Sequence, residues 1–323
     1  MTNIQTPKTL LEAIEYFSDE DNCIAYLVAM RWSKGVTCPI CGSDKATYLK
    51  NQRRWKCSVN HPKRQFSVKV GTVMEDSPIS LSKWLPAMWM IANCKNGVSS
   101  YEIHRALGVT QKTAWFMLHR IRLAMQDQDG GMLSGQVEID ETFVGGAARF
   151  MHKDKRAEKI KGPGTGGQGK TAVMGLLERH GIDKTSKVKA KVIPNVRRHT
   201  LQANIREHVA PGTEVYTDEW TGYKGIDDEY VHNVINHAET YVQGVVHTNG
   251  VENFWSLLKR GIKGTYVSVE PFHLHRYVDE QAFRFNERKV TDSDRFNHVA
   301  SAVAGRRLTY QELTGKMLEP SKA

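Results

Sequence analysis

Cysteine is scarce in this chain. Five in 323 residues are too few for a disulfide scaffold of this length, and their clustering points instead to metal ligation in a reducing compartment. No apolar run reaches the roughly 18 residues a membrane span requires, so none is expected. The amino-terminal stretch MTNIQTPKTLLEAIEYFSDE is acidic and amphipathic and lacks the layout of a signal peptide, so a cytoplasmic location is expected. Acidic residues are also in deficit: 35 Asp and Glu stand against 45 Lys and Arg, a formal charge of +10. That surplus favours a polyanionic partner, most simply nucleic acid, although a merely basic protein has the same balance. What remains is ordinary for a globular chain: 40% hydrophobic and 25% charged residues, with length for two or three domains and a sizeable core.

The first 32 residues read as two short helices. Thr6 and Pro7 suit a helix start, and Leu10, Leu11, Ile14 and Phe17 fall on one face. Residues 33–76 then read as a zinc ribbon. CPICG, from Cys38 to Gly42, is the tight knuckle of such a module, in which backbone amides stabilise two thiolates. A second knuckle is expected about 15–20 residues later. Cys57 falls there, but position 60 is Asn60, so His61 is the candidate fourth ligand of a Cys3His site; a metal-free relic is the alternative. Cys23 and Cys94 lie in apolar helical patterns and read as small core residues. Arg53, Arg54, Lys56, Lys63 and Arg64, interleaved with Trp55 and Phe66, suit DNA backbone contact or a plain solvated basic face.

Residues 77–130 are helical in pattern. Ser80 is placed to cap a helix that ends by Gly97. SSYEIHRALGVTQKTAWFMLHRIRLAM reads as helix, short turn, helix, with Thr110 capping the second. This is the layout of a DNA-binding helix-turn-helix or of an ordinary helical hairpin, and on the former reading Gln111, Lys112, Thr113 and His119 lie on or near the outward face. QDQDGGMLSG marks the domain boundary.

From residue 136 the period changes. QVEIDETFVGG, KTAVMGLLERHG and KVKAKVIPNV are strand candidates; TLQANIREHVAPG is a helix; TEVYTDEW and EYVHNVINH are further strands; VENFWSLLKRGIKG and EPFHLHRYVDEQAFRFNERK are helices. A three-strand meander, a helix, a strand and further helices is the order of the α/β ribonuclease-H-like fold, a mixed sheet flanked by helices. In that fold the first and fourth strands are neighbours, which would bring Asp140 beside Asp218. Glu252 opens the following helix. Two strand-end carboxylates and one helix carboxylate can converge on a pair of Mg2+ or Mn2+ ions and drive phosphoryl transfer on a nucleic acid backbone. Alternation puts Glu138 on the face of Asp140, while Glu141 and Glu219 point elsewhere. His247 reads as a phosphate-orienting residue or as a capping or core histidine.

The segments CPICG with QFSVKVGTVMEDS, VEIDETFVGG, YTDEWTGY, HTNGVENFWSLLKRGIKGTY and HLHRYVDEQAFRFNER together resemble the zinc-ribbon-bearing DDE transposases of bacterial and archaeal insertion sequences, the ISXO-like group. The resemblance spans residues from about 30 to 290 in the family's order. It implies a catalytic domain over 136–290, a triad of Asp140, Asp218 and Glu252, and Lys259 in the basic position beside it, two helical turns from Glu252 and on its face. Some members of the group carry Asn as the third residue, which leaves Asn253 as the alternative to Glu252. Arg260 and Lys263 would hold DNA phosphates. Binding of terminal inverted repeats and target DNA, strand cleavage and transfer by two metal ions, one structural zinc, nucleoid association and a homodimer or larger assembly on DNA are further implications. A catalytically silent or nuclease-only DNA-binding protein of the same fold is the alternative function.

GTGGQGKT, from Gly164 to Thr171, matches a phosphate-binding loop, but a basic Gly-rich stretch precedes it and a strand follows, the reverse of what such a loop needs. Residues 149–170 read instead as a flexible basic loop that orders on DNA. Residues 291–323 read as one or two packing helices and a frayed tail beyond Lys316.

Overall fold

The structure is a computed structural model that describes residues 6–127, 131–146, 153–160, 167, 169–180, 185–235 and 247–315. It divides into two compact units. The first joins residues 1–125 to residues 290–323, and the second is residues 126–289.

In the first unit, α1 (Leu10–Tyr16) is capped by the hydroxyl of Thr9, which accepts from the Glu12 amide. The start is therefore later than Thr6. The expected apolar face is also corrected: Leu10, Leu11 and Ile14 are exposed, while Ala13 and Phe17 are buried. Helix α2 (Glu20–Arg31) follows. The ribbon is a three-stranded antiparallel sheet of β1 (Ala46–Leu49), β2 (Arg54–Cys57) and β3 (Gln65–Phe66). Alternation along β2 buries Trp55 and Cys57 and exposes Arg54 and Lys56. Trp32, Trp55 and Phe66 pack over its inner face.

Next come α3 (Leu81–Asn93), α4 (Ser100–Leu107) and α5 (Gln111–Ala124). The Glu20 carboxylate, not the Ser80 side chain, accepts the first amides of α3. Cys94 caps the far end of that helix and is exposed, so it is not the core residue its pattern suggested. A capping box of Ser99 with Glu102 starts α4, and Thr110 caps α5 by accepting from the Thr113 amide. Helix α10 (Asp292–Ser301) completes this unit: its Phe296 packs against Phe17, Tyr26 and Trp89 at ring separations of 5.6, 5.5 and 5.1 Å. Each such ring contributes about 1.5–3 kcal/mol by leaving water. A short α11 (Tyr310–Thr314) follows, and the tail beyond Gly315 lies outside the described residues.

The second unit carries a five-stranded mixed sheet in the order β6-β5-β4-β7-β8. Strands β4 (Gln136–Val144), β5 (Thr171–Glu178) and β6 (Lys187–Ile193) form an antiparallel meander; β7 (Glu214–Asp218) and β8 (Val231–Ile235) run parallel to β4. Helix α7 (Arg198–His208) covers one face, where Val137, Ile139, Leu201, Ile205 and Tyr223 share a core. Helices α8 (Asn249–Arg260) and α9 (Leu274–Asn286) meet the other face through Val251, Phe254, Trp255, Leu258 and Val278. The expected ribonuclease-H-like architecture, with the first and fourth strands adjacent, is what forms. Within 149–170, expected as loop, Lys153–Lys159 is a short helix, α6; residues 149–152, 161–166 and 168 lie outside the described residues.

Candidate active site and metal centre

Glu138 pairs with Tyr216 in the parallel ladder between β4 and β7. Two residues further along each strand stand Asp140 and Asp218; Asp218 ends β7 as expected, whereas Asp140 lies in the middle of β4, whose ladder with β5 runs on to Val144. On β4, Val137 and Ile139 face the α7 core, so Glu138 and Asp140 face α8. Helix α8 buries Val251, Phe254, Trp255 and Leu258, a stripe at helical spacing, and leaves Glu252, Asn253, Arg260 and Lys263 exposed with Lys259 half-buried. The sheet therefore presents two carboxylates to the helix that carries the third.

Asp140 and Asp218 are half-buried, and Glu252 is exposed. Burial pushes the Asp140 carboxyl up to about 6; the Trp255 indole N–H and the Glu141 amide work against that rise, and the charges of Asp218 and Glu252 add to it. The indole donates to Asp140 Oδ2 at 2.9 Å. That contact depends on Gly175, the cross-strand partner of Asp140: a Cβ there would lie 2.6 Å from the Trp255 ring. Asp218 is half-buried and its Oδ1 accepts from the Trp220 amide at 3.0 Å. Glu252 accepts from the Thr248 hydroxyl at 3.2 Å.

Glu138 is 1% exposed and anchors the base of α8. Its Oε2 accepts from the Val251 amide at 2.9 Å, and its Oε1 from Arg179 Nε at 2.6 Å. Gly250 makes room for this carboxylate, since a Cβ there would lie 2.8 Å from Oε2. Arg179 also donates from Nη2 to His247 Nδ1 at 2.9 Å and to the His247 carbonyl. A guanidinium only donates, so Nδ1 accepts and the ring proton stands on Nε2. Nδ1 also lies 3.4 Å from Glu138, but the shorter Arg179 contact claims it. His247 is thus tied to Arg179 just before α8, half-buried and without a capping bond to the helix, whose N-cap is Thr248. Glu141 points to the other face, as alternation requires, and accepts from Tyr223 OH. Burial pushes it up to about 7, opposed by that hydroxyl and reinforced by the charges of Asp140 and Asp218. Alternation could not show that last influence, because it compares residues on one strand only.

The ribbon is built differently. Cys38, Cys41, Cys57 and His61 bring their ligand atoms within 4.8 Å of one another. Cys38 Sγ lies 3.5 Å from His61 Nε2, and Cys41 Sγ 3.7 Å from Cys57 Sγ. A tetrahedron with Zn–S near 2.3 Å and Zn–N near 2.05 Å has edges of about 3.8 Å between sulfurs and about 3.6 Å from sulfur to nitrogen. The donor set and its spacing therefore fit zinc. Burial works to raise the Cys38 thiol, but the amides of Cys41 and Ile40 and the adjoining thiols outweigh it and bring it down to about 7. His61 Nδ1 lies 2.7 Å from the Pro62 carbonyl, a bond that leaves Nε2 free to ligate. Among the described residues this is the one group of three or more His, Cys, Asp or Glu gathered tightly enough to hold an ion as it stands. Asp218 and Glu252 act electrostatically on Asp140, but the three do not form such a group.

The residues expected to meet DNA fall into three kinds. Arg54, Lys56, Lys63, Lys112, Arg260 and Lys263 are exposed. Arg53 is also exposed but pairs with Asp21 at 2.6 Å, Arg64 braces the carbonyls of Cys57 and Ser58, and Gln111 donates to Ser100 Oγ across the helical turn. His119 is a correction: it is fully buried and stacked edge-on against Trp115, so it has no outward face to offer. One helical turn beyond Trp115, it points back into the unit.

Comparison with known proteins decides the family. The sequence model for the ISXO2-like transposase domain matches residues 132–286, and that for a transposase zinc-ribbon domain matches residues 18–59. Over 105 residues the chain is 35% identical to an uncharacterized transposase-like protein of Haemophilus influenzae, covering 85% of that protein and 32% of this one. The chain belongs to the ISXO2-like transposase family. Over 257 residues it is 28% identical to an uncharacterized protein in transposable element ISH50 of Halobacterium salinarum, covering 76% of this chain and 84% of the relative. The transposase-domain match contains all three carboxylates together with Arg179 and Trp255. The ribbon match contains the three cysteines and stops before His61. No helix among the described residues is long and apolar enough to cross a membrane.

Proposed function

We propose that this transposase cuts and joins DNA at Asp140, Asp218 and Glu252. The observation that carries the reading is the convergence of the three: two carboxylates on adjacent parallel strands and a third on the helix packed over them, with Asp140 pushed up by burial first and by the charges of the other two in addition. Such a site lacks positive charge, and a hard cation supplies it. The donors are all carboxylate oxygens, which suits Mg2+ or Mn2+. Asp140, Asp218 and Glu252 would hold two such ions, which would supply an activated water or 3′-hydroxyl and a stabilised leaving oxygen.

The protein's own groups do the rest. Trp255 fixes the Asp140 carboxylate, and the Trp220 amide fixes that of Asp218. Glu138 and Arg179 hold the amino end of α8, and so Glu252, in register with the sheet. Lys259, Arg260 and Lys263 extend along α8 and its continuation as points for phosphates. Glu252 is favoured over Asn253 because a carboxylate holds a divalent ion better than an amide does. The ribbon holds one structural zinc, and its exposed Arg54, Lys56 and Lys63, with Lys112 of the helix-turn-helix, contact the DNA backbone. Two element ends must meet, so a homodimer or larger assembly forms on DNA.

The test is an in vitro cleavage and joining assay on duplexes bearing candidate terminal repeats, with Mg2+. Cutting at the element boundary followed by joining is expected. Cutting without joining would leave a nuclease, and binding without either a silent DNA-binding protein.

A further inference from the structure

Beside Asp218 the chain builds a feature that the carboxylate chemistry does not use. Trp220 is 48% exposed, though a large aromatic ring. It is also held still. Its amide donates to Asp218 Oδ1 at 3.0 Å, and its indole N–H donates to the Val196 carbonyl at 3.3 Å. Gly222 lies against its edge: a Cβ at that position would meet the indole nitrogen at 2.8 Å and Leu201 at 2.9 Å. The ring therefore offers a fixed face, tied through one turn of backbone to a carboxylate of the site.

That face opens on a hollow of about 460 Å³ framed by Trp220, Arg197 and Arg198, within the usual range of a ligand pocket, about 300–1,000 Å³. Both arginines are exposed, and neither side chain has an ion-pair or hydrogen-bond partner among the described residues. A second hollow of about 490 Å³ shares Asn195 and Val196 with the first and continues to Lys170. An apolar ring flanked by unpaired guanidiniums and a further lysine matches one chemistry well: a base to stack and phosphates to neutralise.

We propose that Trp220, Arg197 and Arg198 form a subsite for an unpaired nucleotide of the DNA strand, its base stacked on the indole and its phosphates on the guanidiniums. The subsite rests on the transposase reading for its position next to the cut, and it separates from that reading in what it binds. Because Trp220 and Asp218 share a turn, a base on the ring fixes the register of the strand relative to the carboxylates.

The full-length protein, without divalent metal, is titrated with a short labelled oligo-dT strand and with the same strand carrying abasic positions. Wild type is expected to bind the base-bearing strand about tenfold to a hundredfold more tightly, the scale of one base–aromatic stack. Trp220→Ala removes that preference and Trp220→Phe keeps most of it. Arg197→Ala with Arg198→Ala keeps the preference but lowers the salt dependence, by about 0.7 in slope for each phosphate of a single strand that is no longer neutralised. Equal affinity of wild type for the two strands, or an unchanged preference in Trp220→Ala, overturns the subsite. Failure of wild type to cut element ends overturns the transposase reading and leaves this preference standing.

Discussion

In the ribbon, four donors between residues 38 and 61 lie within 4.8 Å of one another, two of their separations, 3.5 and 3.7 Å, already near the edge lengths of a zinc tetrahedron. In the second unit, three carboxylates arrive from two strands and a helix, and burial, with the charges of Asp218 and Glu252 adding to it, makes the ionised state of Asp140 costly. The ribbon's ligands are gathered by local turns, so the cluster is complete as soon as its own segment is ordered. The carboxylates are gathered by the whole sheet, and their supports belong to the fold: Trp255 on Asp140, the Trp220 amide on Asp218, Glu138 under the helix. A soft, closed donor set suits a structural ion that stabilises a small module, whereas hard, open carboxylates would, on the proposed reading, keep room for substrate and for ions that take part in reaction.

The contrast breaks most visibly at the ribbon. Cys41→Ser is expected to lower zinc from about one per chain to none and to melt the ribbon, since structural zinc in small fingers contributes on the order of 10 kcal/mol. Retained zinc, or an unchanged melt, would remove the structural role. Next in size, Asp218→Asn should cut element-end DNA at least about a thousandfold more slowly while mobility-shift binding stays close to wild type. Cutting within tenfold of wild type sinks the triad. Glu138→Ala leaves Arg179 buried without its carboxylate and uncaps α8; it should cost about 3–5 kcal/mol in denaturant unfolding, and a cost under about 1 kcal/mol would show that Glu138 does not anchor the helix. Glu252→Gln should lose more cleavage than Asn253→Ala by about tenfold or more, and the reverse order would make Asn253 the third residue. The smallest effect is expected from Trp255→Phe, which keeps the packing and removes one hydrogen bond to a charged group. About tenfold slower cleavage, with more Mg2+ needed for half-maximal rate, is expected; unchanged rate and Mg2+ dependence would show that the indole only packs.

The strands and the α8 stripe were legible because each follows a short period. Alternation on β4 is enough to put Glu138 and Asp140 on one face, and a seven-residue interval is enough to align Glu252 with Lys259. Partnerships across long separations leave no such trace. Nothing local to Gly175 says that it clears a ring beside Asp140, and nothing in ERHG at 178–181 says that Arg179 closes a network with Glu138 and His247. The expectation that His119 faced outward failed for a related reason: α5 is packed on more than one side, so periodicity marks several of its faces as apolar or tolerant. The exposed Leu10, Leu11 and Ile14 show the converse, a stripe that periodicity marks as buried and packing leaves open.

The first unit is interrupted by the second, and this sets an order on its synthesis. Phe17, Tyr26 and Trp89 emerge from the ribosome early, yet the ring that packs among them, Phe296, is made only after the entire catalytic unit. At about 5–20 residues per second, the amino-terminal helices wait about fifteen to fifty-five seconds with an apolar surface uncovered. The catalytic unit, contiguous in the chain, can close before the segment that precedes it has finished folding. The part of the chain made first is therefore the part whose packing is completed last.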